Sequence, residues 1–205
     1  MSTLSSLAWS AQPRIPQCIS ASQLQPGDII CTASDTVTSR TIRAITNSRF
    51  SHTILYTGNG LAVDTTPDTD VSVDLLNNKL RDCINVAVFR HRTASRAQRE
   101  AAVQWAIAQT GKPYDKLSAA RVGLDPDART GKLRFTYAGV VITVTDAVIN
   151  ALASDGHDKS FFCSELVLRA FEVAGARIAP RPPHLTGPGV FLHNPALVYL
   201  GELAA

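Results

Sequence analysis

The chain has 205 residues, 45% of them hydrophobic and 18% charged, and a formal net charge of +3. That is enough apolar material for one sizeable core, and the basic residues are too scattered to mark a nucleic-acid surface. The densest basic group, Arg90-His91-Arg92, reads as a solvated face.

Residues 1–22 are rich in Ser, Gln and Pro and lack periodicity. They are expected to form a flexible arm, or a segment laid over the surface of a domain spanning 23–205. The start carries no basic cluster and no long apolar stretch, so no Sec signal peptide is expected. The most apolar internal run, Ala138-Gly139-Val140-Val141-Ile142-Thr143-Val144, falls well short of the ~20 residues that a membrane span requires. The expectation is a chain made in the cytoplasm without a transmembrane segment, with a leaderless route open for export.

Leu24-Gln25-Pro26-Gly27-Asp28-Ile29-Ile30-Cys31 predicts a turn at Pro-Gly followed by a buried strand. Val37, Ile42 and Ile45 give residues 34–46 a roughly helical spacing. Phe50-Ser51-His52-Thr53-Ile54-Leu55-Tyr56-Thr57 is β-rich and stops at Gly58-Asn59-Gly60. Leu61-Ala62-Val63-Asp64-Thr65-Thr66 then forms the second arm of a hairpin. Residues 71–80 read as a short connection with a helical turn, and residues 84–90 as another strand. A helix is expected over residues 95–109, capped by Ser95 and ended by Gly111 and Pro113. Residues 118–160 hold a turn-rich piece (123–131) and an apolar piece (135–152), the latter read as partly helical. A helix over 163–174, a Pro-rich stretch over 180–188 and a strand over 196–200 complete the chain. Strands and helices mix without βαβ regularity, which places the fold in the α+β class.

The chemistry concentrates at Phe161-Phe162-Cys163-Ser164-Glu165-Leu166-Val167. A thiol that opens an amphipathic helix feels the positive end of the dipole and unpaired N–H groups. Both favour the reactive thiolate, and the same N–H groups can hold an oxyanion. The competing reading is a small buried cysteine. Cys18, Cys31 and Cys83 complete the cysteine set; no C-x-x-C pair or zinc-finger spacing occurs, and reduced thiols are the default reading. An even count leaves one or two disulfides open in an oxidising compartment.

A thiolate nucleophile requires a base. Of the five histidines, His52 sits in a strand that would hold its ring rigidly, although a satisfied core histidine would look the same. His91 lies between arginines, His157 in an Asp-Gly-His-Asp loop, and His184 and His193 in the Pro-rich tail. Asp64, on the strand after the hairpin turn, is placed to orient His52 across the strands. Asp68, Asp70 and Asp74 compete for that role from a loop setting.

Together these segments, with Gly111-Lys112-Pro113-Tyr114-Asp115 and the closing Ala196-Leu197-Val198-Tyr199-Leu200-Gly201-Glu202-Leu203, resemble the permuted NlpC/P60 (YiiX/YebB-like) group of papain-like cysteine hydrolases. The pieces occur in the group's order, with the histidine before the cysteine. The resemblance implies a central antiparallel sheet packed by helices and a nucleophile at a helix start. It also implies hydrolysis of amide or ester bonds, often in peptidoglycan stem peptides, without metal or organic cofactor. Carried over by position, Cys163 is the nucleophile, His52 the base and Asp64 the orienting acid. Ser51, Tyr114, Phe162 and Ser164 border the matched positions and are assigned to substrate binding, Tyr114 with a mainly structural part. Residues 118–160 form an insertion in this scheme, either a flap beside the cleft or a packing element.

The resulting expectation is an endopeptidase or amidase acting on peptidoglycan or muropeptides. It could work as a delivered antibacterial effector with an immunity protein and secretion-system partners, or as a cytosolic enzyme of muropeptide recycling. A lipid-directed acyltransferase or thioesterase, and an inactive binding module of the same fold, are the alternatives.

Overall fold

The structure, a computed structural model, describes residues 17–46, 48–115, 119, 132–137, 140–145, 159–180, 182–192 and 194–203. At Pro26-Gly27 the chain turns sharply, with Asp28 N–H donating to the Gln25 carbonyl. Gly27 has φ +87°, and a Cβ there would stand 2.6 Å from the Arg99 Cβ, so this position requires glycine on two counts. The turn launches β2 (Ile29–Ser34), which lies between β3 (His52–Gly58) and β6 (Cys83–His91).

Among the described residues seven strands share one sheet in the order β1-β9-β6-β2-β3-β4-β5. The others are β1 (Cys18–Ile19), β4 (Leu61–Thr66), β5 (Asp70–Leu75) and β9 (Leu197–Leu203). All neighbours are antiparallel except β1 and β9. Alternation along each strand gives the sheet two apolar faces. Ile29, Cys31, Leu55 and Val63 point to one face, where α3 (Arg96–Ala108) brings Ala102, Val103 and Ala106 and α4 (Cys163–Val173) brings Leu166, Val167, Ala170 and Phe171. Ile30, Ile54, Ala62 and Val88 point to the other, covered by Ile19, Leu24, Leu76 and Leu203. The α+β architecture with a central, helix-packed sheet is the one expected.

Two expectations change at the edges. Cys18–Ile19 of the N-terminal arm pairs with Glu202 and Leu203. The close approach requires Gly201, at φ +144°, where a Cβ would collide with the Gln17 carbonyl oxygen. Residues 17–19 are thus part of the sheet, while residues 1–16 lie outside the described residues. The stretch read as a connection over 71–80 is instead a six-residue edge strand, β5, running into a short helix, α2 (Leu76–Leu80). Its Asp70 and Asp74, residues depleted in strands, hid the alternation of Val71 and Val73.

The helix over 34–46 is α1 (Val37–Ile45), capped by Thr36, whose Oγ1 accepts from the Ser39 N–H at 3.2 Å. Ser95 caps α3 in the expected way, accepting from Gln98 N–H at 3.2 Å. Of the piece read as partly helical (135–152), the described residues are strand: β7 (Lys132–Tyr137) pairs with β8 (Val140–Thr145), where β-branched residues dominate. The turn-rich 123–131 stretch and residues 146–152 lie outside the described residues, as do His157 and His193. The 180–188 segment contains a 3-10 turn at Pro183–Leu185, with another at Pro188–Phe191.

Candidate active site

Cys163, His52 and Asp64 come together from α4, β3 and β4. The β3–β4 register pairs Leu55 with Val63 and Tyr56 with Ala62. Continued by one step, it makes His52 and Asp64 diagonal neighbours, within reach of an imidazole. His52 Nε2 lies 2.7 Å from Asp64 Oδ2. Cys163 lies close enough to His52 to act on the charge of its ring. Because Nε2 is committed to Asp64, Nδ1 is the nitrogen left for sulfur.

The electrostatics follow from this chain of contacts. Burial pulls the His52 imidazolium towards neutrality, but the Cys163 thiolate and the Asp64 carboxylate outweigh it and raise its pKa to about 10. Burial likewise favours protonated Asp64, yet the His52 hydrogen bond and the charges of His52 and Lys79 hold that carboxyl below its usual range. An imidazolium between a carboxylate and a thiolate is the charged arrangement that a thiol nucleophile requires.

Cys163 retains 6% exposure. Phe162 occupies the N-cap of α4 and offers no side-chain acceptor to the N–H groups of the first turn. The strand-like approach to the cysteine is held by Tyr114, which bridges Phe161, by Phe161 N–H donating to the Pro113 carbonyl, and by Asp115 N–H donating to the Phe161 carbonyl. Tyr114 N–H in turn donates to Asp70 Oδ1 at 3.0 Å. Burial and the nearby Cys163 and Asp115 charges push the Tyr114 hydroxyl up, so it stays protonated. Of the competitors to Asp64, Asp70 thus serves the backbone of Tyr114, and Asp74 accepts from Leu75 N–H and Asn78 Nδ2. Asp68 appears in neither role.

The four residues assigned to substrate binding separate. Ser51 lines a cleft beside His52, and its hydroxyl pairs with Ser39 Oγ at 2.7 Å. Tyr114 stays near the sulfur. Ser164 is fully buried and donates to the Thr186 carbonyl at 2.8 Å, and Phe162 is 2% exposed, so both belong to the framework of α4. Buried His91 stays apart from this cluster: it stacks on Phe171 at 5.7 Å, and its Nδ1 accepts from Ala94 N–H.

Lys79, not singled out in the sequence, completes the cluster. Its ammonium lies 2.5 Å from Asp64 Oδ1 and 3.3 Å from Ser72 Oγ. A lysine in Leu-Asn-Asn-Lys-Leu reads as a solvated residue of a polar helix; only its place one turn after an edge strand beside Asp64 marks it. Cys83 also lines the cleft, whereas Cys31 is wholly buried and its thiol is pushed up by that burial.

The cleft has a volume of about 320 Å³. Hydroxyl and amide groups from Thr32, Ser34, Thr66, Thr69, Ser72 and Asn78 line it beside His52 and Asp64.

A cysteine at a helix start, a strand histidine and a sheet carboxylate, with the histidine first in the chain, define a permuted papain-like fold. Residues 23–119 match the family of permuted papain-like amidase enzymes, YaeF/YiiX, C92 family, a stretch that holds His52 and Asp64 and ends before Cys163. The crystal structure of the metalloprotein yiiX from Escherichia coli O157:H7 is similar at 20% sequence identity and a TM-score of 0.58, covering 88% of this chain and 98% of that one. The structural likeness shows a permuted papain-like fold, and the first half of the chain is similar to the YaeF/YiiX amidases. No curated protein matches it by sequence.

Proposed function

We propose that the chain is a cysteine amidase that cleaves peptide bonds of the peptidoglycan stem-peptide type, with Cys163 as nucleophile, His52 as acid and base, and Asp64 as the acid that orients His52. The observation carrying this reading is the hydrogen bond of Asp64 to His52 together with the proximity of Cys163 to the same imidazole. In the first step the Cys163 thiolate attacks the carbonyl carbon, and the oxyanion faces the N–H groups that open α4. The His52 imidazolium passes its proton to the leaving amine as the C–N bond breaks, leaving a thioester on Cys163. Neutral His52 then takes a proton from water, whose oxygen attacks the thioester; the acid is released and the thiolate returns.

The cleft favours a hydrophilic substrate over an acyl chain. Its lining of hydroxyl, amide and charged side chains suits peptide and sugar groups better than a lipid tail. The structural neighbour is described as a metalloprotein. The donors here are already committed to one another, Nε2 of His52 to Asp64 and the second Asp64 oxygen to Lys79, and among the described residues no three His, Cys, Asp or Glu side chains are spaced to hold a metal ion. This donor set does not fit a metal, and the scheme contains no metal-dependent step.

The test is incubation of wild type and Cys163→Ala with purified peptidoglycan and defined muropeptides, with products read by mass spectrometry. A fragment produced only by wild type supports the reading and identifies the bond. Intact muropeptides after incubation with folded wild type overturn the substrate assignment.

A further inference from the structure

We propose that Lys79 is a positioning residue for His52, acting through Asp64 as the fourth member of a charge-balanced chain. The inference rests on the cysteine-hydrolase reading above.

The geometry divides the Asp64 carboxylate between two partners. Oδ1 takes the Lys79 ammonium at 2.5 Å and Oδ2 takes His52 Nε2 at 2.7 Å. All three carrying side chains are largely enclosed: 8% exposed for Lys79, 4% for Asp64 and 25% for His52. A long lysine side chain does not bury itself without a partner, and here the partner is the carboxylate. Its backbone is fixed as well. Leu76 anchors α2 in the apolar cluster under the sheet, and Asp74 holds the helix start through Leu75 N–H and Asn78 Nδ2. Ser72 Oγ, on β5, gives the ammonium a second contact.

The charges explain why such a residue is useful. With Cys163 as thiol and His52 neutral, Lys79 and Asp64 cancel. With Cys163 as thiolate and His52 as imidazolium, all four charges cancel again. The proton thus moves between sulfur and imidazole inside a cluster whose net charge stays at zero. Without Lys79 the cluster would be negative in both states. Asp64 would then lose the fixed cation that helps keep it ionised, and its Oδ1 would have no partner to stop the carboxylate from turning away from His52. The other charged or titratable groups that bear on Asp64 are Asp74 of β5 and Cys83 of β6, neither of which can replace the cation.

The experiment measures the rate of Cys163 alkylation by iodoacetamide across pH, read by peptide mapping, in full-length wild type, Lys79→Gln, Lys79→Arg and His52→Ala, with folding checked by circular dichroism. Lys79→Gln keeps a polar donor on a slightly shorter side chain and removes the charge, so it remains informative where an apolar replacement fails to fold. The expected result is an acid limb shifted about one pH unit higher in Lys79→Gln, because an opposite charge at this range holds a carboxylate down by that order. Lys79→Arg should restore the wild-type limb. A Lys79→Gln profile that overlays wild type overturns the positioning role, and so does failure of both Lys79 variants to differ from each other. Equal alkylation of wild type and His52→Ala would instead overturn the cysteine-hydrolase reading itself, whatever Lys79 does.

Discussion

Two buried aspartates, one just before β2 and one on β4, are each paired with a cation, and only the second faces a group that changes charge. Asp28 is wholly enclosed; Arg90 Nε donates to its Oδ1 at 2.6 Å and Nη2 to its Oδ2 at 2.7 Å, while Gln25 N–H donates to Oδ2 at 2.8 Å. Every strong acceptor position of Asp28 is taken by a group that keeps its proton throughout the accessible pH range. Asp64 has the same burial and a lysine on one oxygen, but its second oxygen meets an imidazole. The first pair locks the Pro26-Gly27 turn to β6. The second has one oxygen on a group that can give and take a proton. The same residue type is therefore closed off in one place and, under the proposed function, chemical in the other, according to what the second oxygen touches.

The comparison is broken most severely at Asp64. Asp64→Asn should lower hydrolysis per folded molecule by about a thousandfold, the order contributed by an oriented acid–base group, and leave the melting temperature much less affected. Asp28→Ala should do the reverse. It leaves Arg90 without its carboxylate, at about 3 kcal/mol of stability, the lower end of the range because Arg90 reaches solvent. Denaturant unfolding beside a turnover assay separates the two. Equal losses of rate in both variants would erase the distinction.

Gly27→Ala sharpens the structural side. The φ of +87° and the 2.6 Å approach to Arg99 Cβ predict a loss of about 2 kcal/mol, read in the same unfolding experiment. Ser95→Ala, which removes the α3 cap, should cost about 1 kcal/mol with no change in rate.

The pH dependence gives the smallest and most specific contrast. The folded His52 pKa is raised to about 10, so its ion-pair contribution is fully present below the ordinary imidazole value of about 6.5 and is lost as pH rises through 10. Asp64 is lowered, so its contribution is present above the ordinary carboxylate range and is lost as pH falls through its folded value. Rate should therefore hold its plateau until close to pH 10, and Asp64→Asn should move the alkaline limb downward. An alkaline limb at the same pH in both proteins would show that Asp64 does not act on His52.

Much of the site was legible before folding. The hairpin signal at Gly58-Asn59-Gly60 set the β3–β4 pairing, and that pairing carries Asp64 to His52. The amphipathic run after Phe162 placed Cys163 at a helix start. What escaped was tertiary in origin. Lys79 is polar in a polar segment, and only the folding of α2 back beside β4 gives it a buried partner. The β5 strand was obscured by its own aspartates, one of which, Asp70, has φ +51° and holds the backbone of Tyr114. Ser164 and Phe162 lie next to Cys163 in sequence, yet the helical turn carries their side chains into the core. Adjacency to a catalytic position along the chain thus says little about which face of the helix meets the substrate.

The central claim is that Cys163 forms an acyl-enzyme under the control of His52. It is tested most directly by quenching wild type during turnover of a defined muropeptide and measuring the intact protein mass, with peptide mapping of any adduct. The account predicts an acyl fragment on Cys163 that decays as product accumulates, and neither adduct nor product in Cys163→Ala. Continued cleavage by folded Cys163→Ala would contradict it.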